Sequence, residues 1–220
     1  GEQGKLTPEI SEAIDSCSVI NEVEDIYRPF RPKRRTRATI AIEKGLEGYA
    51  KIILKGVYTS QKLEELAHEY IDPAKGINTF EEALEGAKDI IAEYVSDDAS
   101  LRKRLRTLMS NTGMLMTEAR KKEQSVYEMY YDYSEPVRSA AGHRILAIDR
   151  GEKEGFLSVK IDIGQDTVTN LIYAHFSKDL ALRTDDCRSL IRDVCRDSWK
   201  RLIGPSVENE IRNSLTNDAQ

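Results

Sequence analysis

Histidine, cysteine and tryptophan are scarce in this 220-residue chain, which holds three, three and one of them. His68, His143 and His175 lie far apart, and no HExxH or CxxC spacing occurs, so no zinc or dithiol motif is written into the chain. The phosphate-loop pattern GxxxxGK(S/T) and the nucleophile elbow GxSxG are missing as well. Carboxylates abound, yet none is marked as half of a two-metal site. The expectation is a protein without catalytic residues, metal or cofactor. No apolar run approaches the roughly 20 residues of a membrane span, and no signal-peptide core is visible. Cys17, Cys187 and Cys195 are odd in number and sit at apolar helical positions, which points to reduced, buried thiols and a cytoplasmic protein.

What is present is charge, and it is unevenly placed. Hydrophobic residues make up 40% and charged residues 32%, the composition of an ordinary helix-rich globular chain. The net charge is −5, with 33 Lys+Arg against 38 Asp+Glu. Against that background Arg28, Arg31, Lys33, Arg34, Arg35 and Arg37 crowd into ten consecutive residues that contain no acid. Pro29 and Pro32 fix φ, remove two N–H donors and press Arg28 and Arg31 towards extended backbone. An extended basic strap of this kind suits a phosphate backbone. The competing reading is a solvated loop neutralised by Glu22, Glu24 and Asp25.

Caps and periodicity predict a mostly helical fold. Thr7-Pro8 opens a helix through Ile10, Ile14 and Cys17, and a second runs through Val19, Val23, Ile26 and Tyr27 into the strap. Thr36 caps the next, which Gly45 closes. Two more cover 46–55 and 60–70. Thr79-Phe80-Glu81-Glu82 reads as a capping box, and Ser96-Asp97-Asp98 opens a helix that Gly113 ends. The pattern breaks at Phe156–Tyr173, where two apolar runs around Gly164 predict a β-hairpin, so the fold class is mainly α with one inserted hairpin near residues 155–174. A helical stripe from Cys187 to Leu202 and a last helix after Gly204-Pro205 complete the chain. Asn111 to Gln124 resembles a linker and marks a sub-boundary near residue 120.

Three further groups invite functional readings. Arg102, Lys103, Arg104 and Arg106 lie on the second helix of a helix-turn-helix-like pair, but Asp97 and Asp98 at its start favour the helix dipole and oppose phosphate. Arg188, Arg192, Arg196 and Lys200 repeat every four residues among aspartates, which predicts a solvated, ion-paired face. Tyr127, Tyr130, Tyr131 and Tyr133 are able to stack bases or to pack a core. His143, beside Arg144, is expected as a structural histidine at a helix start.

Several blocks also resemble, in order, those of the bacterial Tex family of transcription accessory proteins. They are Gln3-Gly4-Lys5-Leu6-Thr7-Pro8-Glu9, then Val23 to Tyr27 continuing through Arg28-Pro29-Phe30-Arg31-Pro32 and Lys33 to Ala41, and Glu43 to Glu47. Leu84 to Glu93, Asp98 to Arg102, His143 to Ile148, Arg150 to Gly155 and Lys200 to Glu208 follow. The resemblance covers nearly the whole chain. It implies that this chain, residues 1–220, is a fragment lying within the helical amino-terminal region and beginning after a first group of helices. In the family a YqgF-like nuclease fold, helix-hairpin-helix elements and an S1 domain come afterwards. The function expected is a non-enzymatic module that binds DNA or RNA weakly and without sequence preference through Arg28, Arg31, Lys33, Arg34, Arg35 and Arg37. The alternative is a scaffold that positions the missing domains or docks transcription machinery, with the arginines as internal staples.

Overall fold

The computed structural model describes residues 7–30 and 35–220. In chain order the helices and strands are α1 (Pro8–Asp15), α2 (Ile20–Tyr27), α3 (Arg37–Glu43), α4 (Glu47–Leu54), α5 (Ser60–Ala67), α6 (Phe80–Ser96), α7 (Ala99–Thr112), β1 (Met114–Ala119), β2 (Asp132–Pro136), α8 (Gly142–Lys153), β3 (Leu157–Asp162), α9 (Gln165–Ser177), α10 (Asp185–Ser198) and α11 (Gly204–Asp218). The mainly α expectation holds. The described residues fall into two compact units, one comprising residues up to 102 with 169–202, the other 103–168 with 203–220.

The first unit is built round α6. Thr79 Oγ1 accepts the Glu82 N–H and opens that helix as predicted, while the Glu82 carboxylate turns back to the Asn78 N–H at 2.6 Å. Ala83, Ala87, Ile90, Ile91, Ala92 and Val95 are fully buried along it. Helices α3, α4, α5 and α10 pack against this stripe. Its small alanines let the neighbours approach closely, which raises contact density. Cys187, Ile191, Val194 and Cys195 form the buried face of α10, and the Ser198 hydroxyl donates to the Ala92 carbonyl at 2.7 Å, tying α10 to α6. Burial pushes the Cys195 thiol up to about 12, so it stays protonated and inert. All three cysteines are unbonded, but Cys17 is only half-buried, which corrects the expectation for that thiol.

The second unit holds a three-stranded antiparallel sheet of order β2-β1-β3. Leu115 lies opposite Glu135 on one side and Ile161 on the other. α8 packs against β3, and α8 and α11 clasp one another through Arg212 to Asp149 and Glu152, with the Thr216 hydroxyl donating to Asp149 at 2.6 Å. The Glu208 carboxylate accepts the Ile161 N–H at 2.8 Å and so occupies part of the free edge of β3.

Here the sequence expectation needs correcting. The predicted hairpin near 155–174 has its first strand, β3, but Val168–Tyr173 is helix, part of α9. Val168 and Ile172 are fully buried and His175 nearly so, a spacing of four and three that belongs to a helix. A short β-branched, apolar run fits either period, and burial on one helical face decided it. The partner of β3 is instead β1, within the stretch that resembled a linker. The helix break before α11 comes through a π-helical turn at Trp199–Ile203, with Pro205 in the first turn of α11 where its missing N–H costs nothing.

Candidate nucleic-acid interface

The basic strap leaves α2 through a 3-10 turn at Arg28–Phe30 and re-enters helix at α3. Arg28 thus has helical backbone, not the extended one expected before Pro29, because it still closes the last turn of α2 on the Glu24 carbonyl. Arg31, Lys33 and Arg34 lie outside the described residues. The entry is fixed by ion pairs. Arg28 Nε stands 3.4 Å from Asp97 Oδ1, and one residue-turn earlier the buried Asp25 accepts from Arg102 Nε at 2.7 Å. The exit is fixed by a reciprocal cap: Thr36 Oγ1 accepts the Thr39 N–H at 3.1 Å, and Thr39 Oγ1 accepts the Thr36 N–H at 2.7 Å. The Thr36 hydroxyl also lies 3.3 Å from Glu93 Oε2. With that N–H already used and a carboxylate alongside, the start of α3 offers little to an anion. The side chains of the strap are what remain.

Those side chains divide into two kinds. Arg28, with about a third of its side chain exposed, is committed to Asp97. Arg35 keeps 72% of its side chain in solvent, and its contact to Glu43, itself 61% exposed, is a loose 3.4 Å. Arg37 is exposed at the first position of α3 and forms no ion pair among the described residues. It acts at longer range on Asp89. Burial pushes the Asp89 carboxyl up, while the cations of Arg201, at 2.8 Å, and Arg37 pull against that shift.

The other basic rows are more occupied. Arg102 is wholly buried and serves Asp25, and Arg106 pairs with Glu210 at 2.8 Å; Lys103 and Arg104 lie on the exposed side of α7. This inward turn of Arg102 removes the cation nearest the start of the supposed recognition helix. A spacing signal existed: Arg102 is three residues before Leu105 and seven before Met109, on the face that both bury. Along α10 the predicted ion pairs form, Arg188 to Asp185 at 2.6 Å and Arg196 to Asp193 at 2.9 Å. Arg192 instead bonds Asn170 at 2.6 Å and lies over the Tyr173 ring. Tyr127 and Tyr130 are buried, with Tyr130 edge-on to Tyr133 and Tyr127 against Phe156, so those two rings are core, while Tyr131 and Tyr133 are half-buried. His143 lies in the first turn of α8, as expected, but is exposed.

One polar cluster escaped the sequence. His175 Nε2 lies 2.9 Å from Asp98 Oδ2 and 3.3 Å from Ser100 Oγ, joining α9 to the start of α7 within the first unit. Burial raises the Asp98 carboxyl, but the Leu101 N–H, His175 and Ser100 outweigh it and hold the group below its usual range. Both contacts fall on the same ring nitrogen. A relay of the Ser-His-Asp type needs the carboxylate on Nδ1 and the hydroxyl on Nε2, so this arrangement is a helix-start clamp. Among the described residues no three His, Cys, Asp or Glu side chains are placed to hold a metal ion, and no helix is long and apolar enough to cross a membrane.

Residues 59–220 match the family model described as Tex central region-like. Over 99% of its length the chain is 40% identical to YdcI of Bacillus subtilis (strain 168), of which it covers 30%. It is 33% identical over its full length to Protein tex of Bordetella pertussis, covering 29% of that protein. At greater distance it is 28% identical, over 99% of the chain, to a Pongo abelii protein named S1 RNA-binding domain-containing protein 1, covering 23% of it. The chain thus spans less than a third of the length of the curated relatives it matches.

Proposed function

The chain belongs to the Tex central region-like family, and from that premise we propose that it is a non-enzymatic helical module that contacts nucleic-acid phosphate without reading sequence. The contact residues are Arg31, Lys33, Arg34, Arg35 and Arg37, with Arg28 fixing the root of the strap. The observation that carries this reading is the exposure of Arg35 and Arg37 beside a helix start that is already capped. A cation left in water at little cost to the fold is available to displace counterions from phosphate. The name of one relative, S1 RNA-binding domain-containing protein 1, supports the same class of partner. A cytoplasmic location goes with the reading.

The scaffold alternative has its own support in Arg28–Asp97 and Arg102–Asp25, which staple α2 to the α6–α7 region of the first unit. The two uses of arginine are compatible, because they fall on different residues. A filter-binding titration tests the phosphate reading. If about four phosphates are neutralised, affinity for a random-sequence oligonucleotide drops roughly a hundredfold between 50 and 200 mM salt. Salt-independent binding, or none at the lower concentration, overturns it.

A further inference from the structure

The α1–α2 hairpin is the least buried part of the first unit. α1 buries no residue, and α2 buries only Asp25. The inward stripes of the two helices, Ile10, Ile14 and Cys17 against Val23 and Ile26, are half-buried. On the other side of α2, Ile20, Glu24 and Tyr27 follow one another at spacings of four and three and so share a face. Ile20 is 75% exposed, Tyr27 47%, and Val19, capping the same end, 53%. A single exposed apolar residue needs no explanation, but three on one eight-residue helix and its cap do.

The charge around that face says what it fits. From Thr7 to Tyr27 there is no Lys, Arg or His, while Glu9, Glu12, Asp15 and Glu24 are all exposed. Carboxylates repel phosphate, so this side of α2 is closed to nucleic acid even though the strap begins at its end. Apolar anchors with the Glu24 carboxylate between them, on a helix pair that carries acids and no cation, complement an amphipathic segment rich in Lys and Arg. Asp25 projects away from Ile20 and is held by Arg102 at 2.7 Å, which fixes α2 with its apolar face outward before any partner arrives.

We propose that the outer face of α2 docks a basic, amphipathic peptide segment of a partner protein, with Ile20 and Tyr27 receiving its apolar side chains and Glu24 its flanking cations. This docking surface stands apart from the phosphate-binding reading, and the two fail separately.

The test uses the 220-residue chain and a fluorescein-labelled Leu/Lys amphipathic peptide of about five helical turns. A scrambled peptide of the same composition and a Leu/Glu helix serve as comparisons in fluorescence anisotropy. The expected result is saturable binding of the Leu/Lys helix alone, weakened about tenfold by Ile20→Ser and by Glu24→Lys. Both positions are exposed, so circular dichroism should show an unchanged fold. Arg35→Gln with Arg37→Gln leaves peptide binding intact while reducing nucleic-acid binding. Equal binding of the scrambled peptide, no binding of the Leu/Lys helix, or unchanged affinity in both α2 variants overturns the proposal. So does a dimer in sedimentation equilibrium that Ile20→Ser abolishes, because a second copy would then be the occupant.

Discussion

A guanidinium can serve a fold or a ligand, and burial separates the two uses here. Arg102 has no exposed side-chain surface and faces Asp25, whereas Arg35 keeps 72% of its side chain in water. Removing the buried partner leaves a carboxylate in a medium that solvates it poorly. Arg102→Leu should therefore cost roughly 3–5 kcal/mol in urea unfolding. Adding Asp25→Leu should recover part of the loss, since an apolar pair tolerates burial better than a stranded charge. A single variant within about 0.5 kcal/mol of the parent would show that the ion pair does not anchor α2. Sequence alone placed Arg102 among the outward cations of its helix. Its position on the Leu105–Met109 face was the available signal, and polarity masked it.

At the scale of elements, local chemistry was readable wherever a side chain answers a backbone end. Thr7, Thr36, Thr79 and Asp98 each accept an N–H at the start of the helix they were expected to open. The short segments that failed are those whose state is decided by distant partners. β1, Met-Leu-Met-Thr-Glu-Ala, is rich in good helix formers and becomes a strand only because β2 and β3 pair on both sides of it. The run Val168–Tyr173 errs in the opposite direction, its β-branched residues serving a helix. Gly113 marks the join between α7 and β1. A Cβ there would press on the Met109 carbonyl and come within 2.8 Å of Ile161 Cγ2. Gly113→Ala should thus cost about 1–3 kcal/mol by overcrowding, read as a lowered melting temperature. A neutral result would mean that the turn between α7 and β1 has slack to give.

At the scale of the whole molecule, family membership was legible because the matching blocks run in order along nearly the entire chain, and the profile over residues 59–220 agrees with them. The strap was legible as composition, a run of six cations in a chain of net charge −5. What no sequence pattern revealed is which of those cations the fold consumes. Arg28 is drawn to Asp97, an acid 69 positions away, and only the packing of α2 beside the α6–α7 turn brings the two together. The acidic face of α2 was hidden for a related reason, because its residues were weighed as neutralisers of the strap rather than as a surface of their own.

The phosphate-contacting strap is the central claim, and one paired measurement tests it most directly. Arg34, Arg35 and Arg37 are changed together to Gln, which keeps hydrogen-bonding capacity while removing charge. Oligonucleotide affinity is then measured across salt, beside the melting temperature. The account predicts a melting temperature within a few degrees of the parent, since exposed pairs such as Arg35–Glu43 contribute below about 1 kcal/mol. It also predicts weaker binding, with the slope of log affinity against log salt smaller by about two to three. A variant that melts far earlier, or one that binds with the parent's affinity and slope, contradicts it.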